Sequence, residues 1–168
     1  MNISRILRRP FMGAFFCATV ILNCVLTARA QTSPELMKVA GSIALTKELL
    51  AHTKSFVQKV KDDAGVKAEF AKVGGEKDMT PESANTVVAK YPKLDAAFKS
   101  SSLKPDDFMK VWGTMIVVEG LAELGPSVDD KAAQANLDFY NANKEEVKSL
   151  SQSIEALQKP ATSPASSP

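Results

Sequence analysis

Apolar residues recur along most of this chain at alternating steps of three and four, the period of one helix face, and no convincing strand-like alternation occurs. Ser33-Pro34-Glu35 opens the first such stretch with a capping hydroxyl, proline at the first helical position and an acidic residue in the first turn. The stripe then runs Leu36, Val39, Ile43, Thr46, Leu50, Thr53, Val57 and Val60, which is heptad spacing and predicts one long helix. Leu45, Leu49 and Phe56 widen the stripe, so the helix should cover a globular core. Gly65 is the expected interruption, followed by a short continuation through Val66, Phe70 and Val73 that Gly74-Gly75 closes.

Thr80-Pro81-Glu82 repeats the start signal, and that helix must stop before Tyr91, which Pro92 biases away from helical geometry. Pro92 opens a short helix burying Leu94, Ala97 and Phe98, which ends near Ser100-Ser101-Ser102. Pro105, with Asp106 and Asp107 favourably placed at the positive end of the helix dipole, starts the next one. From Phe108 to Leu124 apolar residues point nearly all round, which predicts the central helix of the fold. Gly113 and Gly120 share one face of it and each costs about 1 kcal/mol of helix stability, so a close neighbouring helix is expected there. Gly125-Pro126 ends it. Val147, Leu150, Ile154 and Leu157 mark the last helix, and the same register extended backwards meets Asn143, Tyr140, Asn136 and Ala133. Asparagines on an apolar seam are either buried register-setters or signs of a break, and Asn143-Lys144-Glu145-Glu146 reads as a cap that favours a break near residues 141–143. The expected fold is all-α, a single compact bundle of about five helices spanning residues 33–158 with the apolar helix near 105–124 at its centre.

The two ends read differently. Residues 1–30 carry Arg5, Arg8 and Arg9, an apolar run from Phe11 to Leu26, and Ala28-Arg29-Ala30, the three parts of a secretory signal cleaved after Ala30. The apolar run is short for a membrane span of about 20 residues. Cys24 follows Ile21-Leu22-Asn23 as a lipidated cysteine would, but Asn23 occupies a position that calls for a small residue. A periplasmic or secreted bacterial protein is therefore expected. Residues 159–168, rich in Pro, Ser and Ala, read as a disordered tail.

Removing the signal changes the charge. The whole chain carries +2, but its arginines and both cysteines lie in residues 1–30, leaving 17 lysines, no arginine and 19 acidic residues, a net of −2. The mature chain thus lacks disulfides, thiolate metal sites, cysteine nucleophiles and bidentate arginine clamps on phosphate. A mildly acidic surface without arginine also disfavours nucleic acid. No cofactor is expected, and no nucleophile elbow or phosphate-binding loop occurs.

The candidate functional residues are correspondingly few. His52 is the one histidine, at the edge of an apolar face, where a structural role is the simplest reading. Glu119 interrupts the apolar run on the face of Trp112 and Met115, where a buried carboxylate would titrate high and could act as an acid. Tyr140, flanked on its own face by Asn136 and Asn143, could form a polar patch for a small ligand. The leading expectation is a non-enzymatic binding or interaction protein of the bacterial envelope, with a protein partner, a small apolar ligand or a second copy on its apolar stripes. Two alternatives follow from the same residues: a small acid–base enzyme using His52, Glu119 and Tyr140, and a b-type haem protein pairing His52 with Met37, Met79, Met109 or Met115.

Three stretches, Tyr91-Pro92-Lys93-Leu94-Asp95-Ala96-Ala97-Phe98-Lys99, Leu103-Lys104-Pro105-Asp106-Asp107-Phe108, and Ala135-Asn136-Leu137-Asp138-Phe139-Tyr140 with Asn143-Lys144-Glu145, carry a resemblance. In their order the chain resembles small secreted all-helical bacterial proteins of unknown function, and departs from them at Lys104, where a small capping residue is usual. The resemblance implies export and a helical fold; it brings no activity, cofactor or site residue.

Overall fold

The computed structural model describes residues 33–76, 79–125 and 128–158. The expected signal and its cleavage site, Cys24, Pro126 and the Pro/Ser-rich tail lie outside the described residues. Within them the fold is all-helical, with eight helices where about five were expected: α1 (Pro34–Ala40), α2 (Lys47–Asp62), α3 (Ala64–Val73), α4 (Pro81–Val88), α5 (Pro92–Ser100), α6 (Pro105–Leu124), α7 (Lys131–Ala142) and α8 (Lys144–Gln158).

The helix starts lie where the capping residues and prolines put them. Ser33 Oγ accepts from the Leu36 amide at 3.3 Å, and Thr80 and Ser83 bond reciprocally at the head of α4. Pro92 and Pro105 begin α5 and α6 without a side-chain cap of their own. For α5 the missing cap is supplied from α3, where Glu69 Oε2 accepts from the Leu94 amide at 2.9 Å. This satisfies one of the orphan amides at the helix start and ties the two helices together.

One expected continuity is broken and one expected break is displaced. The helix foreseen from Pro34 to Val60 is interrupted between Ala40 and Lys47, although the three-four stripe runs through the gap at Ile43 and Thr46. The cause lies in α7. The buried Asn136 side chain accepts from the Leu45 amide at 2.8 Å and donates to the carbonyls of Ala40 at 2.7 Å and Ile43 at 2.8 Å. Those three backbone groups would otherwise serve the helix. From α6, Thr114 Oγ1 donates to the Val39 carbonyl at 3.0 Å and lies 3.2 Å from Ser42 Oγ. Gly41 lets the bend press on α7: a Cβ there would lie 3.0 Å from Ala132 Cβ and 3.2 Å from Asp130 Oδ1. The second break falls at Asp63, not Gly65, because Asp63 Oδ1 caps α3 by accepting from the Gly65 amide at 2.7 Å and the Val66 amide at 3.1 Å. The break foreseen near residues 141–143 occurs at Asn143.

Helix α6 is central, packing against α1, α4, α7 and α8. A second group forms where α2 meets α3 and α5, and α8 contacts both groups through α2, α3, α6 and α7. Phe56 of α2 stacks on Phe98 of α5 with centroids 3.9 Å apart, and meets Phe108 of α6 edge-on at 5.0 Å. Gly125, in the left-handed conformation at φ 63°, ends α6 as its lack of a Cβ permits.

Candidate functional site

One side of α6 is only partly covered by its neighbours. Met109, Trp112, Gly113, Ile116, Glu119 and Gly120 fall within one arc by the 3.6-residue period, and all six are half-buried. The two glycines behave differently from the close helix contact expected of them. A Cβ at Gly113 would meet Val39 Cγ1 at an ordinary 3.5 Å, and a Cβ at Gly120 would meet nothing within 4 Å. At the end of this arc stands Leu124, the exposed large hydrophobic among the described residues, at 52%.

One edge of the arc is charged. Lys148 Nζ of α8 lies 3.6 Å from Glu119 Oε1 and 3.7 Å from Glu123 Oε1, bridging two carboxylates one turn apart. Both pairs are partly open to solvent and long, so they are worth little to stability, but they hold the Lys148 head at the α6–α8 seam. Near them, Tyr140 of α7 is fully buried and its hydroxyl has no hydrogen-bond partner. Burial, and after it the negative charge of Glu119, pushes the Tyr140 phenol above its ordinary 10.0, against the opposing charge of Lys148. Lys148 is itself pushed above 10.5, first by the charge Tyr140 would carry, against partial burial, and further by Glu119 and Glu123. At neutral pH the phenol therefore keeps its proton and the ammonium its charge. In that state both groups are hydrogen-bond donors.

The residues singled out from the sequence separate into three sets. Glu119 and Tyr140 come together electrostatically, with Trp112 on the same face of α6 as Glu119. His52 stands half-buried on α2, a helix that is not among the stronger packing neighbours of α7. Asn136 and Asn143 form no polar patch around Tyr140. Asn136 is spent on the α1–α2 bend, and Asn143 Nδ2 donates to the Phe139 carbonyl at 2.8 Å, closing the end of α7 where a cap for α8 was expected. Of the four methionines considered as haem ligands, Met115 is fully buried in the core, while Met37, Met79 and Met109 are half-buried.

Lys148 and Thr114 are the functional-looking residues that the periodicity did not mark. Thr114 had a signal, a polar side chain in the middle of the apolar run of α6. Lys148 had none, since its partners are fixed only by how α8 lies across α6. Among the described residues no group of three or more His, Cys, Asp or Glu side chains is placed to hold a metal ion, and no helix is long and apolar enough to cross a membrane. Compared with known protein families, curated proteins and solved structures, the chain matches none, so the geometry alone carries the functional reading.

Proposed function

We propose that this chain is an exported, non-enzymatic helical protein of the bacterial envelope that works by binding a protein partner on the outward arc of α6. Export rests on the composition of residues 1–30. The binding reading rests on one observation: the central and most apolar helix of the fold leaves Met109, Trp112 and Ile116 only half-buried, beside a glycine that faces open space. A mid-helix glycine costs about 1 kcal/mol relative to alanine, and at Gly120 no internal contact offsets that cost. Close approach by the backbone or side chain of another molecule would. The flanking Glu119–Lys148–Glu123 edge supplies the polar rim that interfaces commonly have around an apolar centre.

Trp112 is the single tryptophan of the chain, which makes occupancy of the arc directly readable. A photo-crosslinking amino acid placed at Ile116 in cells should capture a discrete partner, while the same group at exposed Lys67 on α3 should not. Binding of that partner to the purified protein should shift the Trp112 emission. Equal capture from both positions, or a captured protein that leaves the emission unmoved, would count against the reading. A small apolar ligand on the same arc, the runner-up, would instead appear as a bound molecule in native mass spectrometry.

A further inference from the structure

We infer that residues 34–62 are built for two states, the bent one described above and a continuous helix that lets α1 exchange between two copies of this chain. Three observations carry this. The three-four spacing passes through the bend without losing register, from Leu36 and Val39 through the half-buried Ile43 and the exposed capping residue Thr46 to Leu50, although residues 41–46 are not helical. A segment selected only to turn would have no reason to keep a helix period. The bend is held from within by Thr46, which caps α2 through the Leu49 amide, and from outside by the three hydrogen bonds of Asn136 and by Thr114. And α1 is a seven-residue helix whose packing lies against α6 and α7, with no other attachment among the stronger helix contacts.

Straightening the bend would carry α1 away from its own α6, and its seat would then be filled by α1 of a second copy. Every α1 contact except those of the bend is recovered between chains, which is the general reason such exchange costs little. Asn136 acts as the latch. In the continuous helix the Ala40 and Ile43 carbonyls and the Leu45 amide pair within the helix, and Asn136 is left buried without partners, so the bent form is favoured while Asn136 is present. Gly41 contributes from the other side, as a weak helix former that also fits closely against Ala132.

A disulfide reports which chain α1 belongs to. Gly113 Cβ would lie 3.5 Å from Val39 Cγ1, so Val39→Cys with Gly113→Cys places two thiols within bonding reach, in a chain whose Cys17 and Cys24 are replaced by serine. In the bent monomer the bond forms within one chain; in the exchanged dimer it joins two. Non-reducing electrophoresis after oxidation at increasing protein concentration distinguishes them, with Val39→Cys alone as the control for random coupling.

Adding Gly41→Ala crowds the bend and favours the continuous helix. It should raise the dimerisation constant about 25-fold, about fivefold for each of the two straightened segments, the glycine-to-alanine helix preference written as an equilibrium ratio. Asn136→Leu should raise it further, and where that variant fails to fold, Gly41→Ala decides. The amides of residues 41–46 should gain hydrogen-exchange protection in the dimer. Intrachain disulfide alone at every concentration in the Gly41→Ala chain would overturn the inference, as would interchain bonds without that added protection.

Discussion

At Tyr140 the unusual feature is a hydroxyl with nothing to bond, in a side chain that is otherwise an ordinary core aromatic. Burying a hydroxyl without a partner costs free energy that the ring's own packing must offset. Removing it should therefore help: Tyr140→Phe is expected to raise stability by about 1 kcal/mol, seen as a higher midpoint in urea with an unchanged slope. A loss of stability would show that the hydroxyl is satisfied in solution and that the Glu119–Lys148 edge reaches it. Asn136 is the opposite case. Its amide carries three bonds to a single bend, so its meaning cannot be read from its own helix, where it looks only like a misplaced polar residue on an apolar seam.

Four helix starts and the break at Asn143 were legible and the α1–α2 interruption was not, for a physical reason. Ser33-Pro34, Thr80-Pro81, Pro92 and Pro105 act locally, through φ and through amides one turn away, so four starts follow from neighbours in sequence. The α1–α2 bend is imposed by residues on α6 and α7, and a period count over residues 36–60 has no access to them. The site divides the same way: Glu119 and Tyr140 could be flagged from their own surroundings, whereas Lys148 gains its role only when α8 crosses α6.

Two predictions belong at this scale. Gly120→Ala should stabilise α6 by about 1 kcal/mol, raising the melting temperature by about 4 °C, because the new methyl meets open space. If the arc is a binding face, the same change should weaken capture at Ile116, so stability and binding move in opposite directions. The second concerns Asp63, whose carboxylate is held below its ordinary 3.8, first by the Val66 amide and then by the Gly65 amide. A depressed carboxylate contributes stability that is present in full above pH 3.8 and is lost as pH falls through the lower folded value. Asp63→Asn keeps an acceptor at the cap but cannot titrate, so its stability should fall less steeply with acid across that window than the parent's does.

Across the whole molecule the question is whether the α6-centred group and the α2–α3–α5 group hold together as one cooperative unit. Their connection runs through α8, which buries Val147, Leu150 and Ile154, through α4 against α5, and through Phe108 of α6, whose ring meets Phe56, Phe70 and Phe98. Phe56 is the side chain with most at stake, since it also stacks on Phe98 and lies 6.1 Å from the ring of Phe70. Phe56→Ala removes a fully buried ring and should cost about 3–5 kcal/mol, a large part of the roughly 5–15 kcal/mol that domains have in total. Where that loss appears decides the matter. If the core is one unit, hydrogen-exchange protection should fall together in α2 and in α7, at Leu137 and Tyr140, although α7 belongs to the other group, and melting should remain a single transition. Protection that drops in α2 while α7 stays protected would mean that the α6 group stands alone. In that case the outward arc of α6 would remain folded and able to bind after the α2 group had opened, and partner capture at Ile116 would survive the Phe56→Ala change. A single unit loses both together.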